Sequence, residues 1–138
     1  MIAAVIVWRQ GWLGGPGGLG EAGLRHDRVL ARIAELAGRK DRDKAGPALR
    51  EILHLAASEK LSLNNVKAPG ARLAGVRLHR ARLRNADFSG ADFSGAGLAR
   101  ADLRGADLTG AGFVDARLTR ADLRGARLHG ADFTRADL

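Results

Sequence analysis

Between residues 71 and 138 the apolar positions recur with a period of five. Each unit has an apolar residue, any residue, Leu or Phe, then two polar or small residues, as in ADLRG, ADLTG and ADFSG. Fourteen consecutive units carry Leu or Phe at the third place, from Leu73 and Leu78 through Phe88, Phe93 and Leu98 to Phe133 and Leu138. Ala fills the first place in thirteen of them, with Val76 the exception. Two inward residues spaced by two mark a very short strand, because alternate side chains share one face. The next two residues must turn the chain, and Gly at the fifth place, as in Gly75, Gly90 and Gly110, suits such a corner. Each unit is therefore expected to be a strand fragment plus a corner, and the array a solenoid. The register reaches back through Leu61-Ser-Leu63-Asn-Asn65 and Val66-Lys-Ala68-Pro-Gly70, giving about sixteen units from residue 61 onward.

A longer period lies inside the short one. Phe93, Phe113 and Phe133 are 20 apart, as are Arg80, Arg100 and Arg120, Arg84, Arg104 and Arg124, and Gly90, Gly110 and Gly130. A repeat of 20 predicts four units per coil and four inner sides. Tandem A-(D/N)-L-x-x in this register resembles the pentapeptide-repeat family, over about 78 of 138 residues. The resemblance implies an all-β solenoid, a right-handed quadrilateral β-helix, here of about four coils preceded by two short amphipathic α-helices. The lead-in LSLNNVKAPGARLAGVRL is similar to the helix-to-solenoid entry of bacterial members, some of which carry membrane helices upstream.

Upstream of the repeats the apolar spacing becomes helical. Val29, Leu30, Ile33, Leu36 and Ala37 predict a helix from about Leu24 to Gly38, with Gly38 placed to end it. Asp41-Arg-Asp-Lys44 is expected as a solvated turn, and Pro47 as the first position of a second helix carrying Leu49, Ile52, Leu53 and Ala56 to about Lys60. An open solenoid end leaves Leu side chains in water, so these helices are expected to cover the first coil. The chain thus divides into an apolar stretch and Gly-rich linker at 1–23, a helical cap at 24–60 and the repeat β-helix at 61–138. MIAAVIVW has eight apolar residues, against the ~20 a membrane helix needs. Gly15, Gly17 and Gly20 form a G-x-G-x-x-G, but no strand runs into it and no second strand follows, so it is not a phosphate site.

Charge adds the main functional lead. The net charge is +8, which suits anionic partners. Arg80, Arg100 and Arg120 lie at the corner leading into the side that bears Arg84, Arg104 and Arg124, so six guanidinium groups form one stripe. Stacked like charges about 5 Å apart repel by on the order of 1 kcal/mol per pair in water. Two outcomes are open: Asp102 and Asp122 on the same side pair with them, or the stripe serves an anionic surface or partner. The Phe column at 93, 113 and 133 is expected in the core. There is no cysteine, the four histidines fall apart in the register, and no serine stands with a His and an acid at matching places. No catalytic, cofactor or metal site is expected.

These features point to a cytoplasmic, non-enzymatic interaction or structural scaffold, a part that family resemblance also implies. One alternative, from the same resemblance, is a DNA mimic that binds gyrase. It requires an acidic surface, whereas thirteen basic and eight acidic residues stand from Leu61 onward. Another is a membrane-associated protein, attached through residues 1–13 as the remnant of a truncated anchor; nucleic acid is the less favoured anionic partner. The last coil, with Leu123, Leu128, Phe133 and Leu138, is expected to self-associate into a homodimer.

Overall fold

The computed structural model describes residues 22–138. The apolar run, the anchor expected at residues 1–13 and the G-x-G-x-x-G lie outside the described residues. Helix α1 spans Ala22–Ala37 and buries Val29, Ile33 and Leu36, which share one face at spacings of four and three. Gly38 follows it, its N–H bonded to the Ala34 carbonyl at 3.0 Å.

Helix α2 spans Arg42–Ser58 and begins earlier than the sequence suggests. The expected turn at Asp41–Lys44 is instead the helix start. Asp41 is the N-cap, its carboxylate accepting the Lys44 N–H at 3.3 Å, and Asp43 adds a negative charge to the first turn. Pro47 is therefore inside the helix rather than at its first position. The Asp41 cap starts the helix five residues before Pro47, whose missing N–H forgoes one bond in the second turn. Leu49, Ile52, Leu53 and Ala56 form the buried face.

From Leu61 the chain winds in five-residue units. Parallel bridges join the second places of units 20 residues apart: Ser62 to Arg82 to Asp102 to Asp122, and likewise in the columns headed by Lys67, Arg72 and Arg77. Each bridge is a single residue wide, so among the described residues the strand fragments do not extend into longer strands. Four columns at an offset of 20 make four sides. At each corner the third-place carbonyl accepts the N–H of the next first place, as Ala68 does from Ala71. The fifth-place residue has positive φ throughout, whether glycine, as at Gly75 (71°), or not, as at Asn85 (54°). A negative then a positive φ at the two central residues is the arrangement of type II turns.

Third-place side chains fill the interior. From Leu63 to Leu118 they are essentially inaccessible, and the first-place Ala residues pack beside them. Phe93 stacks on Phe113 at 5.2 Å and Phe113 on Phe133 at 4.9 Å, with Phe88 meeting Phe93 edge-on. The buried faces of α1 and α2 belong to the same apolar core.

The helices also complete the first coil's hydrogen bonding. Within the solenoid, second- and fourth-place carbonyls accept amides from the coil before: Arg82 O from Leu63 N at 2.9 Å, Ser94 O from Gly75 N at 2.8 Å. The first coil has no coil before it, and side chains of the helices take that role. His26 Nε2 lies 2.5 Å from Ser62 O, Arg50 Nη1 donates to Ala74 O at 3.1 Å, and His54 Nδ1 meets Arg77 O at 3.1 Å. The first two of these contacts are part-buried, where a carbonyl left without a donor is costly, and they help helices stand in for strands.

In a unit with coils on both sides, the fourth-place N–H is the one amide that neither the coil-to-coil nor the corner bonds use. Second-place aspartates accept it: Asp87 from Ser89, Asp92 from Ser94, Asp107 from Thr109 and Asp132 from Thr134, at 2.9 to 3.1 Å. These aspartates, which sequence alone presents as ordinary surface residues, are turn-forming acceptors.

Candidate anion-binding edge

The four columns assign every charge of the solenoid to a side. Let side one carry the units that begin at 61, 81, 101 and 121, and let sides two, three and four follow in chain order. Sides one and four then hold nine arginines and three aspartates, a net +6. Sides two and three hold four basic and five acidic residues, a net −1. The positive charge thus gathers on two adjacent sides that meet at the corner of Arg80, Arg100 and Arg120. Lys60, one position earlier in that column, extends it toward the helices and has the same φ of 59° as the three arginines.

The structure divides the six expected stripe residues into two sets. Arg84, Arg104 and Arg124 are tied into a ladder with Asp102 and Asp122. Arg84 Nε lies 2.5 Å from Asp102, Arg104 Nε 2.8 Å from Asp102 and 3.5 Å from Asp122, and Arg124 Nη2 2.6 Å from Asp122. The hydrogen bond from Arg124 holds the Asp122 carboxyl below its ordinary range, and Asp122 in turn raises Arg124. Arg80, Arg100 and Arg120 are exposed and pair with no carboxylate among the described residues.

Three arginines outside that stripe belong with the unpaired set: Arg82, exposed at a second place on side one, and two on side four. Arg77 and Arg117 occupy second places on side four, both exposed and without an ion pair among the described residues. Gly97 stands between them in the column, covered by the imidazole of His79. The one aspartate of this side, Asp137, accepts from the Thr119 hydroxyl at 2.9 Å. Side four and its corner therefore present five arginines whose charge is not neutralised locally. A search for identical residues 20 apart misses Arg77 and Arg117, because Gly97 interrupts their column.

The other expected contact surface is the final coil. Leu123, Leu128 and Phe133 are half-buried there and Leu138 is 70% exposed. Among the described residues, no group of three His, Cys, Asp or Glu side chains could hold a metal ion. None of the described helices is long and apolar enough to cross a membrane.

A solenoid of five-residue units with these four bridged columns defines a class. Residues 62–95, 71–110 and 101–138 match pentapeptide repeats, in eight copies, and the chain belongs to this family. Two solved structures are similar. One is a pentapeptide repeat protein (Rfr23) from the cyanobacterium Cyanothece 51142, 33% identical, with a TM-score of 0.56 over 57% of this chain and 54% of that one. The other is alr5209, a pentapeptide repeat protein from Nostoc Pcc 7120, 36% identical, with a TM-score of 0.51 over 52% of this chain and 60% of that one. The chain spans less than two thirds of the length of either. No curated protein matches it. Proteins of this family form right-handed quadrilateral β-helices and are generally non-enzymatic.

Proposed function

We propose that this chain is a non-enzymatic scaffold, a β-helix of about four coils under a helical cap, whose basic edge holds an anionic partner. The division of charge carries the proposal: +6 on two adjacent sides against −1 on the other two. Composition alone would scatter arginine over all four. Six of the nine arginines on the basic sides lack a carboxylate partner among the described residues, five of them on side four and its corner, so their charge remains available to a ligand. A DNA mimic needs the opposite sign on its surface, and this excess therefore speaks against the gyrase alternative. The cytoplasm, with its abundant polyanions, is the setting this surface suits.

Retention on immobilised heparin tests the proposal. The protein is expected to be held in physiological salt, and a variant with Arg77, Arg80, Arg100, Arg117 and Arg120 changed to Gln to pass through. Flow-through of the unchanged protein would overturn it.

A second surface in the same proposal is the coil of residues 121–138, pairing with another copy of the chain. Support comes from its half-buried Leu and Phe side chains and from the N–H groups of Leu123, Leu128 and Phe133, which find no acceptor among the described residues. A light-scattering mass that stays at one chain up to high concentration would remove this part.

A further inference from the structure

We infer that the partner of the basic edge is an anionic phospholipid surface, against which side four and its corner lie flat; this rests on the anion-binding proposal above. The unpaired arginines of side four and its corner, Arg77, Arg80, Arg100, Arg117 and Arg120, occupy a patch roughly 10 Å on a side, three residues wide at ~3.4 Å each and two coil steps of ~4.8 Å tall. The bridge offset stays at 20 from Ser62 to Asp137, so no inserted loop rises beside the patch or walls it into a groove. A flat, unwalled array of guanidinium groups matches a plane of phosphate head groups.

It matches nucleic acid poorly. Single strands are held in a charged groove with bases stacked on aromatic rings. Here Phe88, Phe93 and Phe113 are buried, Phe133 is stacked beneath Phe113, and the chain has no tyrosine. A duplex curves away from a patch of this size and would meet few of its phosphates.

The sequence carries a second signal. Stable membrane attachment generally takes two, for example an apolar segment and a basic patch. Both tryptophans of the chain, Trp8 and Trp12, fall within the apolar N-terminal sequence, and Trp favours the membrane–water interface.

The test uses the full chain, with vesicles of phosphatidylcholine alone or with 30 mol% phosphatidylserine, and a 20-base-pair DNA duplex. The variant is R80G/R100G/R120G; its charge-matched control, K67Q/R72Q/R127Q, removes three positive charges from sides two and three. Binding to the anionic vesicles and not to the neutral ones is expected. The corner variant should lose binding on the order of 100-fold and the control only a few-fold. Because glycine suits the positive φ of these corners, the variant is expected to fold, and circular dichroism on the same samples checks it. Equal losses in both variants, or no preference for anionic vesicles, would overturn the lipid assignment. Tighter binding to the duplex than to vesicles would overturn it too, while leaving the anion-binding proposal standing. Failure to bind heparin, vesicles and duplex alike would end both.

Discussion

The side-chain carbonyl of Asn64 accepts the main-chain N–H of Arg84 at 2.9 Å, from one coil above. In the neighbouring unit Asp87 performs this service for Ser89 from within the unit itself. The unit of Arg84 has Arg82 at its second place and no acceptor to offer, so the coil above supplies one. Changing Asn64 to Ala should destabilise the protein by about 0.5–1.5 kcal/mol, the usual net value of one hydrogen bond. Adding Arg82→Asp to that variant should recover much of the loss, since the new carboxylate sits where Asp87 sits in the next unit. Urea unfolding midpoints of the single and double variants would check this, and a double variant weaker than N64A would refute the exchange.

Gly97 and His79 make a second exchange between coils. A Cβ at position 97 would stand 2.5 Å from the His79 ring, so Gly97 is the space in which that ring lies. Gly97→Ala should lower the melting temperature, and His79→Ala in the same chain should restore most of it. By contrast Gly112, in the neighbouring column, has only Asp92 Oδ1 at 4.0 Å, and Gly112→Ala should be tolerated. Additive effects of G97A and H79A in a double-mutant cycle would show the contact to be unimportant.

Acid should weaken the solenoid in a defined direction. Asp132 is held below its ordinary value of 3.8 chiefly by the Thr134 hydroxyl and next by the Thr134 amide, Asp115 by Arg135, and Asp122 by Arg124. A carboxyl whose folded pKa is depressed contributes stability above its unfolded pKa, and that contribution is lost as pH falls through the folded value. Stability should therefore be flat from neutrality to about pH 5 and decline below the ordinary carboxylate range near 4. Asp115 and Asp132 are exposed and Asp122 is half-buried, so the decline is shallow. Thr134→Val should flatten it further, and urea midpoints across pH 2–7 would show whether it does.

The 20-residue recurrence of Phe93, Phe113 and Phe133 was legible because a solenoid stacks equivalent places, and it reappears as the offset of every bridge. Hydrophobic periodicity likewise marked the buried faces of α1 and α2. The start of α2 was not legible from Pro47, since a cap contact such as Asp41 to Lys44 competes with proline preference and only geometry decides. The roles of His26, Arg50 and His54 had no sequence signal either. They answer carbonyls of Ser62, Ala74 and Arg77 that lie 23 to 36 residues away and are orphaned only because the first coil is first. Within the arginine stripe, sequence located both columns but could not divide them. Whether a guanidinium reaches Asp102 depends on side-chain direction, which differs between a fourth place on a side and a fifth place on a corner.

That difference leads to the most discriminating stability measurement. Arg80, Arg100 and Arg120 each hold φ at 59°, a left-handed conformation that costs an L residue ~1–2 kcal/mol, and glycine serves at the equivalent corners Gly70, Gly90, Gly110 and Gly130. Glycine loses roughly 0.5–1 kcal/mol of that advantage to its freer unfolded chain. R80G/R100G/R120G should therefore gain about 1–3 kcal/mol in stability, helped by relief of repulsion between stacked guanidinium groups. R84Q/R104Q/R124Q should move the other way, because it leaves Asp102 and Asp122 without partners. Chemical unfolding of the two triple variants would separate the columns. A corner variant less stable than the unchanged chain would mean that these arginines brace the coil, and their strain would then need no ligand to account for it.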